Sequence, residues 1–339
     1  MSRIVRFHET GGPEVLKIDD VPDQEPGSGE VRIRVEALGL NRAECMLRQG
    51  KYAFAPVFPS CIGLEAAGVV EVIGPGFTNV AVGDRVSTVP YLIVDEHGNW
   101  TDKTAQYGVY GETATVAAAA VVHYPDNLTP EQGTAIWCQY LTAWGGMFEF
   151  AKLTSSDVAL VTAAGSSAGL AGVQLAKEAG ALTIATTRGS DKKEALLQHA
   201  DHVVVTDEQD LAQIVKEVSG GRGASVVYDP IGGPFLSNIL EAAAPEARIV
   251  EYGNLSPDDA QFAALFPLLK RLNVKWHSLF DTARRPEELA SGVRYVFDRL
   301  KSGALVPVID KVFPSLDNIA DAHRYMESNQ QIGKIVVKV

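Results

Sequence analysis

Between residues 157 and 253 the chain alternates, without interruption, between short apolar runs and longer amphipathic stretches. The runs are "DVALVTAA" at 157–164, "LTIATT" at 182–187, "HVVV" at 202–205, "ASVVYD" at 224–229 and "ARIVEYG" at 247–253. The stretches between them, 167–179, 191–199, 208–218 and 234–243, read as helices. Runs this apolar cannot keep one face in water, so they belong in a parallel sheet covered by helices on both sides. The alternation therefore predicts an α/β fold built on a doubly wound parallel sheet.

Upstream the texture differs. "VRIRVEALGL" at 31–40 alternates charged and apolar side chains, and 66–74 and 83–89 are rich in valine between glycines. This predicts short strands and turns in an irregular β domain. At Thr129 the sequence "TPEQ" offers an N-cap, a proline at the first helical position and Gln132 to close a capping box, with a long helical stretch to follow. Downstream, "VKWHSLF" at 274–280 reads as a further strand, then come a helix at 287–300, a strand at 306–312, a helix at 316–327 and a strand at 332–338. That tail lacks the regular alternation and is expected to return to the first domain. A chain of 339 residues suits two domains, here divided as 1–125, 126–284 and 285–339. With 46% hydrophobic and 21% charged residues it is expected to fold throughout.

The first turn of the alternating series, in "VALVTAAGSSAGLAGVQLAKEAG", joins a buried strand to a helix through small residues only. Gly165, Ser166, Ser167, Ala168 and Gly169 could let a pyrophosphate approach the free N–H groups at the helix start, where a bulky Cβ would block it. A strict GxGxxG is absent, and a turn built of small residues for packing alone has the same look. Its place at the head of a full alternating series is the setting a dinucleotide site requires. After the second strand, where a ribose-binding acid would stand for NAD, the chain reads "ATTRGSDKKEALL". Arg188, Ser190 and Lys192, with Lys193 beside them, suit a ribose 2′-phosphate and hence NADPH; a solvated helix start is the plain alternative.

Charge and cysteine usage narrow the partners. A net charge of −12 argues against nucleic acid, whose binding rests on a field of Lys and Arg. The three cysteines, Cys45, Cys61 and Cys138, are widely spaced and form no CxxC, which points to a reducing cytoplasm rather than a disulfide framework or zinc knuckle. The N-terminal residues lack the apolar core of a signal peptide, and no apolar run is long enough to span a membrane, so a soluble cytoplasmic protein is expected.

The turn at 165–169, "YDPIGG" at 228–233, "RIVEYGNLS" at 248–256 and "QIGKIVV" at 331–337, together with "ALGLNRAE" at 37–44, "GLEAAGVVEVIGPG" at 63–76 and "VGDRV" at 82–86, resemble the medium-chain dehydrogenase/reductase superfamily. The match runs nearly end to end and in the family's order. It implies a GroES-like catalytic domain formed by both chain ends, a Rossmann domain between them and an active-site cleft where they meet. Zinc-bearing members place ligands at three positions that here carry Asn41, Leu64 and Cys138. One soft ligand of three cannot hold a catalytic zinc, and the four-cysteine structural lobe is missing. Glu65 is the carboxylate of a "GHE"-like turn without its histidine, and a structural pairing with a basic side chain or backbone N–H groups is expected for it.

The resemblance points further, to the zinc-independent branch of quinone oxidoreductases and enone reductases, which reduce conjugated acceptors with NADPH. Conjugation spreads the developing negative charge, so hydrogen-bond donors can replace a Lewis acid. Tyr52, in "RQGKYAF", matches a family tyrosine that donates a proton or only walls the pocket. Asn41 matches an asparagine facing the nicotinamide, and Thr142, in "YLTAW", a threonine beside it. Gly253, Asn254 and Lys334 are carried over as coenzyme contacts. The polar segment from Tyr91 to Tyr110 is read as a pocket wall, and none of the seven histidines stands in a ligand spacing. The edge at 274–280 suggests a homodimer. A zinc-type carbonyl reductase and a coenzyme-binding protein without turnover stand as rival readings.

Overall fold

A computed structural model describes residues 1–76, 80–91, 108–262 and 265–339, so most of the segment read as a pocket wall lies outside the described residues. The chain divides into two compact units: Met1–Cys138 with Ala283–Pro286 and Pro307–Val339, and Gln139–Thr282 with Glu287–Val306.

In the first unit the alternation of Glu30–Gly39 buries Val31, Ile33 and Val35, and this strand organises a seven-stranded sheet. Glu65–Ile73 and Thr113–Ala117 both pair with it, Arg85–Thr88 and Val121–His123 extend the sheet on one side, and Lys334–Lys338 followed by Ile309–Phe313 extend it on the other. The last part of the tail, Pro307–Val339, belongs to this unit, where Val336 pairs with Gly39 across an antiparallel ladder, whereas Glu287–Val306 belongs to the second unit. A smaller sheet joins Leu16–Val21, Ser2–Phe7 and Ser60–Cys61. Valines, leucines and isoleucines from these strands, with Leu316 and Ile319 from the tail, form one core.

The second unit is the doubly wound sheet that the alternation predicts. Six parallel strands lie in the order His202–Val205, Leu182–Thr187, Val158–Val161, Ala224–Asp229, Ala243–Glu251, Asn273–Trp276. The order reverses between Val158–Val161 and Ala224–Asp229, and at such a switch point the loops beyond the strand ends part to leave a crevice. The helices between strands are Ser167–Glu178, Lys193–Leu197, Leu211–Val218 and Leu236–Ala242.

Two local expectations are revised. The capping box at Thr129 forms, with Thr129 N–H donating to Gln132 Oε1 at 3.0 Å and Gln132 N–H to Thr129 Oγ1 at 3.3 Å. Its helix nevertheless lasts one turn, Pro130–Gly133, and a second helix, Trp137–Trp144, widens into a π turn at Gly145–Phe150. Glycine is required there, since a Cβ on Gly145 would lie 2.7 Å from Thr282 Oγ1 and one on Gly146 2.6 Å from Val250 Cγ1. The strand expected at 274–280 stops at Trp276, because Ser278 starts a helix instead, its Oγ accepting from Phe280 N–H at 3.3 Å. Helix Pro286–Ser302 packs within the second unit, where Gly292 leaves room for the rings of Trp144 and the side chain of Leu141.

Candidate functional site

The second unit gathers most of the expected coenzyme residues on one edge of its sheet. The turn 163–166 follows strand Val158–Val161 and opens helix Ser167–Glu178. Ser166 caps that helix, its Oγ accepting from Gly169 N–H at 3.0 Å, which leaves the N–H groups of Ser167 and Ala168 without intrahelical partners. Gly169 is needed for closeness: a Cβ there would stand 2.6 Å from Ala163 O and 2.7 Å from Ala164 Cα. Gly165 is buried and Ser166, Ser167 and Ala168 are half-buried. These features fit an anionic pyrophosphate. Arg188, exposed, and the Ser190–Lys192 turn follow the end of the next strand, Leu182–Thr187. Gly253 and Asn254 follow Ala243–Glu251 and lie against the turn after Ala224–Asp229, where the Asn254 amide oxygen neighbours Gly232. Thr142 is buried within helix Trp137–Trp144.

The first unit holds a different assembly, an ionic cluster sealed from water. Lys334 is 0% exposed, Glu65 1% and Glu44 2%. Lys334 Nζ forms a salt bridge with Glu65 and donates to Asn41 Oδ1 at 2.7 Å. Because an ammonium only donates, this contact fixes the Asn41 amide: its Nδ2 turns toward Glu65 Oε2 at 3.2 Å and Glu44 Oε1 at 3.3 Å. Glu65 Oε1 also accepts the backbone N–H of Cys138 at 2.8 Å. The expected pairing of Glu65 with a basic side chain and with backbone is thus what the structure contains.

Glycines make the cluster possible. A Cβ on Gly39 would meet Lys334 Cε at 2.8 Å, and one on Gly63, at φ +108°, would meet the Tyr110 ring at 2.2 Å. Through that gap the Tyr110 hydroxyl donates to Glu44, which also accepts from Asn41 N–H at 2.7 Å and Leu64 N–H at 2.9 Å. Burial pushes the Glu44 carboxyl up to about 6, against the opposing pull of Tyr110 and the backbone donors. Burial alone would push the Lys334 ammonium down, yet the charge of Glu65 and its neighbours holds it above its ordinary value.

Tyr52 lies half-buried in a bend, its ring edge-on to Phe54 with centroids 5.2 Å apart. Burial above all, with the charge of Glu44 adding to it, pushes its phenol up to about 12, so it stays protonated at neutral pH. The same causes, burial and then Glu65, raise the Cys138 thiol well above its usual range. Sequence reasoning missed Glu44, Tyr110 and the link from Lys334 to Glu65. The N-x-x-E spacing of Asn41 and Glu44 at a helix start carried a signal for the first; nothing local announces the others. Among the described residues no three His, Cys, Asp or Glu side chains are grouped to hold a metal ion.

Comparison with known proteins agrees with this architecture. A family profile described as alcohol dehydrogenase GroES-like domain matches residues 27–126, and one described as zinc-binding dehydrogenase matches 198–337. The chain is 31% identical to a quinone oxidoreductase of Pseudomonas aeruginosa, over 99% of both chains. It is 30% identical to a 2-haloacrylate reductase of a Burkholderia species, over 98% of this chain and 97% of that one. Among solved structures, an NAD-dependent alcohol dehydrogenase superposes with a TM-score of 0.90 at 29% identity, covering 100% of both chains. The Escherichia coli quinone oxidoreductase complexed with NADPH gives 0.89 at 27% identity, with the same coverage. The chain belongs to the medium-chain dehydrogenase/reductase superfamily, in its branch of quinone oxidoreductases and enone reductases, and is a nicotinamide-dependent oxidoreductase.

Proposed function

We propose that the protein reduces a quinone or an α,β-unsaturated carbonyl with NADPH and without a metal ion. The observation that carries this reading is the Lys334 ammonium held by Asn41 and Glu65, since the oxygen donors at the vacated ligand position already serve an internal cation. Of the three positions that hold zinc in metal-bearing relatives, Asn41 and Leu64 are poor ligands, and Cys138 alone offers a soft donor. The residues present do not fit zinc.

Bound coenzyme supplies a hydride, and this chain supplies what surrounds the transfer. The small-residue turn at 165–169 offers backbone N–H groups to a pyrophosphate, and Arg188, Ser190 and Lys192 offer hydrogen bonds to a ribose 2′-phosphate. Lys334 is committed to Glu65 and Asn41, so its part in holding coenzyme is to fix the Asn41 amide, whose Nδ2 faces Glu65, Glu44 and Gly39 O and gives up one of these contacts to reach coenzyme. Tyr52, neutral because its pKa lies near about 12, stabilises an enolate by hydrogen bonding and then protonates it. A quinone takes its protons from water and needs Tyr52 only as a wall. The protein is proposed to act as a homodimer on small molecules, apart from nucleic acid and membranes; among the described residues no helix is long and apolar enough to cross a membrane.

Steady-state oxidation of NADPH and of NADH, over a panel of quinones and enones with and without chelator, tests the reading. Chelator-resistant turnover with NADPH preferred is expected, and Tyr52→Phe should lower enone turnover by about 10²-fold or more while sparing quinones. Loss of activity with chelator, or preference for NADH, contradicts it. No turnover on any acceptor would leave a coenzyme binder.

A further inference from the structure

Asp229 and Glu251 end two neighbouring parallel strands in register with each other, and both are buried, at 0% and 3% exposure. Asp229 accepts from the Thr162 hydroxyl on Oδ1, and from Ile231 N–H at 3.1 Å and Gly232 N–H at 2.7 Å on Oδ2. That many donors suits an ionised carboxylate. Glu251 is hydrogen-bonded to Asp229, and neither forms a salt bridge among the described residues. Two touching buried anions without a cation would repel strongly, so one proton must lie between them. Thr162 directly follows the third strand of the group, Val158–Val161, and leads into the turn at 163–166, so the pair ties together three strand ends at the switch point.

We propose that Asp229 and Glu251 share one proton as positioning residues for the coenzyme turn, and that loss of this proton weakens coenzyme binding. The inference rests on the coenzyme reading above. In the protonated state Glu251 donates to Asp229, which anchors Thr162. Without the proton a second negative charge appears at the edge where the coenzyme's phosphates lie, and the hydrogen bond that joins the strands is gone. Burial, then the charge of Asp229, pushes Glu251 up to about 9, within reach of ordinary alkaline buffers.

The surrounding groups are few. Thr162, just past Val158–Val161, is the contact from that side, and Tyr228 and Tyr252, with ring centroids 3.9 Å apart, adjoin Asp229 and Glu251 in sequence. From Asn273–Trp276, Trp276 is in register with Glu251, Lys275 reaches over the Phe150 ring, and His277 follows with its imidazole pushed down to about 4 by burial. The loop beyond brings Asn254 beside Gly232 and the backbone of Asp258 beside Gly233.

Titration of the full chain with NADPH from pH 7 to 10, for wild type and Glu251→Gln, is the test. The wild-type Kd should rise above about pH 9, by up to about tenfold per pH unit, and that of Glu251→Gln should stay flat. A flat wild-type profile overturns the proposal, as does the same rise in both proteins. Infrared difference spectra of the wild type between pH 7 and 10 read the proton without coenzyme: a protonated-carboxyl band should vanish, and its absence at pH 7 overturns the shared proton outright. A protein that loses the band but binds no coenzyme at any pH defeats the coenzyme reading instead, and with it the positioning role.

Discussion

At the scale of single residues, the ionic cluster sets the stakes. Lys334 and Glu65 are paired inside the first unit with no water to fall back on, so removing one leaves a buried charge unmatched. Lys334→Met should therefore cost about 3–5 kcal/mol, read from urea unfolding, while Lys334→Met combined with Glu65→Leu should recover most of that loss. A single substitution costing no more than the double would show that the pair is not a unit. Glu44 adds a pH dependence whose sign follows from its raised pKa. The native state holds this proton more tightly than the unfolded chain, so the stabilisation is complete below the ordinary value of 4.5 and is lost as pH rises through about 6. The stability of wild type relative to Glu44→Gln should fall by about 2 kcal/mol between pH 4 and 7, and a gap that grows instead contradicts the assignment. Asn41 and Glu65 were legible in the sequence, as the asparagine in a metal-ligand position and the acid left by a missing histidine. Lys334 was legible only as part of a motif, because its partner lies 269 residues away and no spacing rule connects them.

At the scale of elements, the second unit was nearly transparent because its strands are buried on both faces and their sequences carry little else. Val158–Val161 is apolar at every position, and the helix after it opens with the small residues that its turn demands. The failures occurred where tertiary contact overrides local preference. The stretch after Thr129 opens with a capping box and reads as one helix, yet Gly133 packs on the Tyr124 ring and Gly145 against His277 and Thr282, and the single expected helix becomes three pieces. The coenzyme turn is the element most sensitive to one added carbon. In Gly169→Ala the new Cβ would meet the backbone of Ala163 and Ala164, so the turn must open and its N–H groups part. Affinity for NADPH should fall by about tenfold or more, equivalent to about 1.4 kcal/mol, with the ionic cluster of the other unit undisturbed. Calorimetric titration checks this, and unchanged affinity would mean that the turn does not hold the phosphates.

For the whole molecule, the sheet of the second unit leaves Asn273–Trp276 at its end with a neighbour on one side only among the described residues. Open edges of this kind are ordinarily blunted or covered. Here Trp276 is 71% exposed, and the preceding helix, Leu265–Lys270, leaves Leu265, Leu268 and Leu269 63–70% exposed. Such a concentration of apolar surface beside an unpaired strand suits the homodimer proposed above, since a second copy of the chain offers both the matching strand edge and the matching apolar helix. Two chains that each carry −12 repel, but the exposed side chains Leu265, Leu268, Leu269 and Trp276 at this edge are uncharged, so screening by salt should favour association rather than oppose it. Sedimentation at micromolar concentration should accordingly show a dimer that tightens or holds as salt rises, and Leu268→Asp with Leu269→Asp should yield a folded monomer with its coenzyme affinity retained. A wild-type monomer at that concentration, or a dimer that dissociates in salt, would mean that something other than this edge governs assembly.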